Sequence, residues 1–234
     1  MLEIKNLTKK YGDFVAVSDL SLTVKDGEIY GFIGHNGAGK STVIKAIVGA
    51  HRFDSGEIII NGNSLKDKPI ECKKDMAYVP DNPDIYDYLT GIQYLNFIGD
   101  IYAVPLEERD KKVKEYADKF EIADKLSDLI SSYSHGMKQK LVLISALMHS
   151  PKLLILDEPF VGLDPVASHS LKEIMRDMCN EGSSIFFSTH ILEVAEKLCD
   201  RVGIIKGGKI VTEGAMKDIV GDESLESIFL ELQK

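Results

Sequence analysis

The stretch Glu28–Thr42 limits the possible folds more than any other part of this sequence. The apolar run Glu28–Ile33 is typical of a buried strand, and the apolar spacing of residues 43–48 predicts a helix. Between them lies a glycine-rich segment with the pattern G-x-x-x-x-G-K-[ST], and strand, loop and helix in this order are the context in which that pattern binds phosphate. The residues of the predicted loop are Gly34, His35, Asn36, Gly37, Ala38, Gly39, Lys40, Ser41 and Thr42.

The chemistry of this loop predicts a nucleoside triphosphate bound with Mg²⁺. Glycines allow consecutive backbone N–H groups to surround an anion, and the start of a helix adds partial positive charge. From this position Lys40 can reach the β- and γ-phosphates, and the Ser41 hydroxyl can bind Mg²⁺.

Composition excludes several other classes of protein. The 234 residues are 44% hydrophobic and 28% charged, which suits one large soluble domain or two small lobes. A net charge of −9 argues against non-specific nucleic-acid binding. No apolar run approaches the length of about 18 residues that a membrane span needs, so we expect another chain to cross any membrane involved. Cys72, Cys179 and Cys199 lie far apart and are predicted to be reduced thiols.

The pattern along the chain predicts an α/β fold: a P-loop NTPase core with an N-terminal antiparallel β-layer and an inserted helical subdomain. Alternating strands near the N-terminus are expected to form a small antiparallel layer around the phosphate strand. We expect one ATP-binding domain over residues 2–222, with its core at about 2–85 and 150–222 and the helical subdomain at about 86–149. Residues 223–234 are predicted to form a short helical tail.

Two further apolar strands end in polar residues suited to catalysis. The run Leu153–Leu156 leads into Asp157 and Glu158. In a P-loop fold such a strand lies beside the phosphate loop, so Asp157 can hold Mg²⁺ and Glu158 can activate the attacking water. His190 follows the other strand, which is expected to run parallel with its end at the same crevice. The sequence therefore predicts His190 as a contact of the γ-phosphate.

Six spaced motifs resemble those of the ATP-binding cassette (ABC) ATPases, the nucleotide-binding subunits of ABC transporters. In order along the chain they are Tyr11–Gly12, Gly34–Thr42, Tyr133–Met137, Leu156–Pro159, Gly162–Asp164 and Ser188–His190. The resemblance implies that Tyr11 stacks on adenine. It also implies that Ser134 and Gly136, from the family's leucine-serine-glycine-glycine-glutamine signature, cap the ATP bound by a second subunit. Asp164 resembles the aspartate of the loop that communicates across that dimer.

The chain departs from the family pattern at two places. In the signature, His135 replaces a glycine and Met137 replaces the glutamine. The family also has a glutamine after the strand that ends near Val79, where this chain has Asp81 and Asn82. Asp81 could approach Mg²⁺ in its place, but the sequence leaves open which of the two residues substitutes for the glutamine.

The resemblance implies an ATPase subunit of a transporter that uses ATP and Mg²⁺. Its expected partners are membrane-spanning permease subunits and a second ATP-binding subunit, expected to be another copy of this chain, with no nucleic acid. The expected location is cytoplasmic, on the inner face of the cell membrane. Residues 133–139 and 224–229 resemble exporter cassettes for drugs, antimicrobial peptides or sodium. The alternative is a soluble ABC ATPase of an assembly system such as iron–sulfur cluster assembly. A P-loop kinase is disfavoured because Glu158 suits water activation.

Overall fold

The computed structural model describes residues 1–233, which form two β-sheets with helices packed against them. The strands are β1 Leu2–Tyr11, β2 Phe14–Val24, β3 Ile29–Ile33, β4 Ser55–Ile60, β5 Asn63–Ser64, β6 Met76–Val79, β7 Leu153–Asp157, β8 Ser184–Thr189, β9 Arg201–Lys206 and β10 Lys209–Ala215. The helices are α1 Lys40–Ile47, α2 Pro69–Asp75, α3 Gly91–Ile101, α4 Leu106–Lys119, α5 His135–Leu147, α6 Pro165–Asn180, α7 Leu192–Leu198, α8 Met216–Val220 and α9 Leu225–Gln233, with 3₁₀ turns at Ala123–Lys125 and Ile130–Ser132. Across these residues, no helix is long and apolar enough to cross a bilayer.

The first sheet is antiparallel, with strand order β2-β1-β4-β5. The phosphate strand β3 does not belong to it, so the expectation that this layer surrounds β3 is wrong. The reason is that every residue of β3 is buried. A strand buried on both faces belongs in a parallel sheet with other elements packed on each side.

The second sheet has the order β10-β9-β3-β8-β7-β6, and all of its strands except β10 run parallel. The prediction that β3, β7 and β8 are parallel is confirmed. However, β8 lies between β3 and β7, so β7, the strand that ends in Asp157, is not the immediate neighbour of β3. The carboxyl ends of the three strands still meet at one edge of the sheet, where α/β proteins bind ligands.

Alternate residues of β3 point into two separate parts of the core. Tyr30 and Phe32 pack in a cluster with α1 and the antiparallel sheet. Ile29 and Ile33 pack on the opposite face, in a cluster with α5, α6 and α9. This alternation follows from the two-residue repeat of a strand. It fixes β3 between two apolar layers and so fixes the position of the loop that follows it.

Between the two halves of the parallel sheet the chain is helical, as predicted for residues 86–149. Thr90 caps α3 in a reciprocal pair with Gln93. The division of the chain into core, subdomain and tail stays a prediction. Within the predicted tail, α9 begins at Leu225, and residue 234 lies outside the described residues. Sequence patterns did not predict α2 and α8, which have seven and five residues.

Candidate nucleotide site

The phosphate loop runs from the end of β3 into the first turn of α1. Gly37 and Gly39 have φ angles of 82° and 111°, in the region that favours glycine. Gly34 is needed for a different reason, since a Cβ atom there would lie 2.7 Å from the carbonyl oxygen of Ile205. The glycines of this pattern therefore allow both the turn and the close approach of β9. The loop lines a cleft of about 340 Å³.

Lys40 is the buried cation of this cleft. Its Nζ donates a hydrogen bond of 2.6 Å to the Gly34 carbonyl oxygen and lies 3.4 Å from Glu158 Oε1. Only 6% of the lysine side chain is exposed. The lysine is thus paired inside the protein, and binding a phosphate requires it to exchange these partners.

Glu158 joins Lys40 to His190. Its Oε2 lies 2.9 Å from His190 Nδ1 and accepts a bond of 3.3 Å from the His190 backbone N–H. Glu158 has a φ of 49°, which is rare for a residue other than glycine and is typical of functional sites. The structure therefore brings together Lys40, Glu158 and His190, the three residues that the sequence suggests for catalysis. They lie close together although β8 separates β3 from β7.

Asp157 and Ser41 are two of the residues that the sequence suggests for binding Mg²⁺. Asp157 is 1% exposed, Ser188 Oγ donates to its Oδ1 at 2.5 Å, and its Oδ2 has no partner among the described residues. Burial raises the pKa of the Asp157 carboxyl, while hydrogen bonds from Ser188 and Ser41 oppose that rise. An unpartnered carboxylate oxygen beside a serine hydroxyl fits Mg²⁺, which prefers oxygen ligands and keeps several from water and phosphate. In residues 1–233 no cluster of three or more acidic, His or Cys side chains could hold a metal unaided.

Asp81 and Tyr11 also line the cleft, near its mouth. Of the two residues left open by the sequence, Asp81 faces this cleft, whereas Asn82 lines a separate depression beside Tyr133 and donates its backbone N–H to the Asp81 carboxylate. Tyr11 is 45% exposed, as a ring available for stacking must be. Its hydroxyl lies 2.9 Å from His51 Nδ1.

The three residues assigned to the family signature and its neighbouring loop lie outside the cleft. Ser134 caps α5 by accepting the Met137 N–H, and Asp164 caps α6 and pairs with Lys140 at 2.7 Å. The capping bond and Lys140 lower the pKa of the Asp164 carboxyl. A Cβ atom on Gly136 would lie only 2.6 Å from the Gly162 carbonyl oxygen, so α5 and the loop before α6 are in direct contact. Residues 134–137 form a second locus, which we name the α5 start.

Comparison with known families decides the identity of the fold. The family model described as "ABC transporter" matches residues 17–161. The chain belongs to the ABC transporter family, as an ATP-binding cassette. The predicted fold class is thereby confirmed, including the P-loop NTPase core.

Individual relatives of this cassette agree. It is 34% identical to the ABC-type transporter ATP-binding protein EcsA of Bacillus subtilis over 100% of this chain and 97% of that protein. It is 35% identical to the linearmycin resistance ATP-binding protein LnrL of the same organism, covering 94% and 70% of the two chains. A solved structure titled as the ATP binding subunit of an ABC transporter superposes with a TM-score of 0.96 and 36% identity, covering 100% of both chains.

Sequence reasoning about this cassette missed two contacts of the site. His51 meets Tyr11 in an edge-to-face geometry with ring centroids 6.2 Å apart. The Ser188 hydroxyl donates a hydrogen bond to Asp157 Oδ1 and accepts one of 3.0 Å from the backbone N–H of Glu158. One hydroxyl therefore positions both acids. Ser188 lies within a predicted motif and could have been found from it, because its strand was expected beside the acids. His51 has no local signal in the sequence.

Proposed function

We propose that this cassette is the ATP-hydrolysing subunit of a transporter and drives permease subunits through ATP-dependent dimerisation. The observation that carries the proposal is the connected set of Lys40, Glu158 and His190 at the carboxyl edge of the parallel sheet, next to the unpartnered oxygen of Asp157. The named relatives support transport, since EcsA and LnrL are both called ATP-binding proteins of transport or resistance systems.

In the proposed reaction, Lys40 leaves Glu158 and the Gly34 carbonyl and binds the β- and γ-phosphates. Glu158 then accepts a proton from the water whose oxygen bonds to the γ-phosphorus. The bond between that phosphorus and the β–γ bridging oxygen breaks, and ADP leaves with the bonding electron pair. His190, already 2.9 Å from Glu158, contacts the γ-phosphate and keeps the carboxylate oriented. Ser41, Asp157 and Asp81 would hold Mg²⁺, which would supply positive charge to offset the negative charge of the phosphates.

The location of the α5 start implies that one chain holds an incomplete site. Ser134 and Gly136 do not line the cleft of their own chain. The first turn of α5 offers backbone N–H groups and the positive end of a helix dipole, which suit a γ-phosphate. We therefore propose a head-to-tail dimer of two chains in which each α5 start covers the other chain's ATP.

Export is the direction we propose. Residues 133–139 and 224–229 resemble exporter cassettes, and LnrL is named for resistance to linearmycin. The proposed partners are permease subunits, which would hold the cassette at the inner face of the cell membrane.

Light scattering tests this proposal with the Glu158→Gln variant, in which hydrolysis is slowed so that the ATP complex persists. We expect a dimer with Mg-ATP and a monomer with ADP or without nucleotide, because ADP lacks the γ-phosphate that the α5 start binds. Adding Ser134→Arg should abolish the dimer, whereas Ser127→Arg, which adds the same charge at an exposed serine of the helical region, should not. Equal mass in all three nucleotide conditions would contradict the proposed dimer.

A further inference from the structure

The C-terminal helix α9 contacts the phosphate loop directly. The ring of Phe229 meets the imidazole of His35 edge-to-face, with centroids 4.7 Å apart and planes at 61°. Phe229 is 5% exposed, whereas His35 is an exposed residue of the loop. An aromatic side chain of the tail is therefore buried against a residue that belongs to the nucleotide site.

The contact completes the support behind the loop. On the hairpin side, the Gly208 N–H donates to the Ala38 carbonyl oxygen at 2.9 Å, and Gly34 is too close to Ile205 to carry a side chain. That support acts on the backbone of the loop. Phe229 adds a contact to a side chain of the loop, that of His35, which lies at the start of the loop just after β3.

Both ends of α9 are attached to elements that flank the site. The backbone N–H of Leu225 donates to Glu196 Oε2 at 2.8 Å, and Glu196 lies on α7, the helix after His190. At the other end, Lys206 Nζ donates to the Leu232 carbonyl oxygen at 2.9 Å. Leu225 itself is fully buried in the core. The helix thus holds Phe229 in a fixed position between α7 and the end of β9.

We propose that Phe229 is a positioning residue for ATP binding: it holds His35 so that the backbone N–H groups of the phosphate loop are preorganised around the phosphates. The physical reason is that Gly37 and Gly39, which follow His35, have high conformational freedom, and ATP binding must order them. The entropy cost of ordering these glycines is smaller when the start of the loop is already fixed. This inference rests on the proposed function, since it assigns a role in ATP binding to the tail of the same site.

The test compares Phe229→Ala with Leu230→Ala. Leu230 is the next residue of α9 and is 56% exposed, so its truncation removes apolar atoms from the same helix without touching the loop. An edge-to-face aromatic pair corresponds to a change of about 2- to 10-fold in an equilibrium constant. We expect Phe229→Ala to raise the dissociation constant and KM for Mg-ATP by that factor with kcat nearly unchanged, because a contact made equally in the ground and transition states affects KM alone. Leu230→Ala should match the parent.

A double-mutant cycle with His35→Ala separates positioning from general stability. If Phe229 acts through His35, adding Phe229→Ala to His35→Ala should weaken ATP binding no further, although it lowers the thermal midpoint in both backgrounds. Should Phe229→Ala fail to fold, Phe229→Leu retains most of the buried apolar volume and should still weaken binding. Parent-like affinity of a folded Phe229 variant, or an undiminished effect in the His35→Ala background, would overturn the proposal. If the parent chain itself does not bind ATP, that result would instead contradict the proposed function.

Discussion

Neutralising Glu158 should tighten ATP binding while it greatly slows turnover. In the structure the carboxylate is an ion-pair partner of Lys40, with Nζ and Oε1 3.4 Å apart. Under the proposed function, ATP takes the lysine from that carboxylate, and the γ-phosphate then lies near the same negative charge. Glu158→Gln removes both the competition and the repulsion.

The magnitude follows from the burial of the pair. The two side chains are 6% and 14% exposed, so solvent screens their attraction only partly. Two unit charges at this separation attract by about 5 kcal/mol at an effective dielectric constant of about 20. Most of that attraction offsets the desolvation of the two groups. We expect a net gain of about 1 to 3 kcal/mol for ATP binding, a dissociation constant about 5- to 150-fold lower, and a turnover rate about 10²- to 10⁴-fold lower from loss of the base.

Equilibrium titration with a fluorescent ATP analogue and Mg²⁺ measures the affinity, and steady-state phosphate release measures turnover. Glu193→Gln is the matched control, because Glu193 is an exposed acid of α7 paired only with Lys197 at 2.7 Å in the described residues. It removes the same charge and should change neither quantity. Unchanged or weaker ATP affinity in Glu158→Gln would refute the competition for Lys40, and hydrolysis at the parent rate would refute Glu158 as the base.

Three further variants test other parts of the site. Lys40→Ala should weaken ATP binding in the same titration at least 10-fold, a loss of about 1.4 kcal/mol or more; unchanged affinity would contradict the phosphate-loop assignment. Because burial raises the pKa of Asp157, its ionised form costs folding free energy at neutral pH. Asp157→Asn should therefore raise the thermal unfolding midpoint of the ligand-free protein and lose the further stabilisation that Mg-ATP gives the parent. A ligand-free midpoint below that of the parent would contradict the expected destabilisation by the ionised Asp157. The new Cβ of Gly136→Ala would lie 2.6 Å from the Gly162 carbonyl oxygen, so the free energy of unfolding, measured with denaturant, should fall by about 1 to 3 kcal/mol. Stability equal to that of the parent would mean that the loop before α6 can move away at no measurable cost.

The parts of this fold that sequence reasoning predicted well are those defined by local pattern. The phosphate loop is recognisable because a five-residue buried strand, the glycines and Lys40 are contiguous. The same holds for Asp157 and Glu158 at the end of β7, which follow directly on its apolar run. In each case the residues that determine the structure are neighbours in the chain, so the spacing alone carries the physical argument.

The remaining features depend on contacts between distant segments. Arg109 lies on α4, a helix rich in charged residues, yet it is 7% exposed and donates a hydrogen bond of 2.6 Å to Asp100 Oδ1. It fits there because Gly99 leaves room that a Cβ atom would fill, 2.3 Å from Arg109 Nε. The helical period of α4 contains no information about Gly99. The choice of Asp81 over Asn82, and the contact between Phe229 and His35, are likewise set by packing across the fold.

One carboxylate connects Lys40 to His190, and this connection implies an order of events under the proposed function. Glu158 holds Lys40 through Oε1 and His190 through Oε2. A nucleotide that reaches Lys40 releases one of these contacts and leaves the second to orient the carboxylate towards the γ-phosphate. ADP offers no γ-phosphate to either His190 or the α5 start of a second chain, so it supplies fewer of the interactions that would keep Lys40 away from Glu158. The same ion pair that weakens ATP binding in a single chain would therefore favour return to the resting arrangement after hydrolysis, which links product release to separation of the dimer.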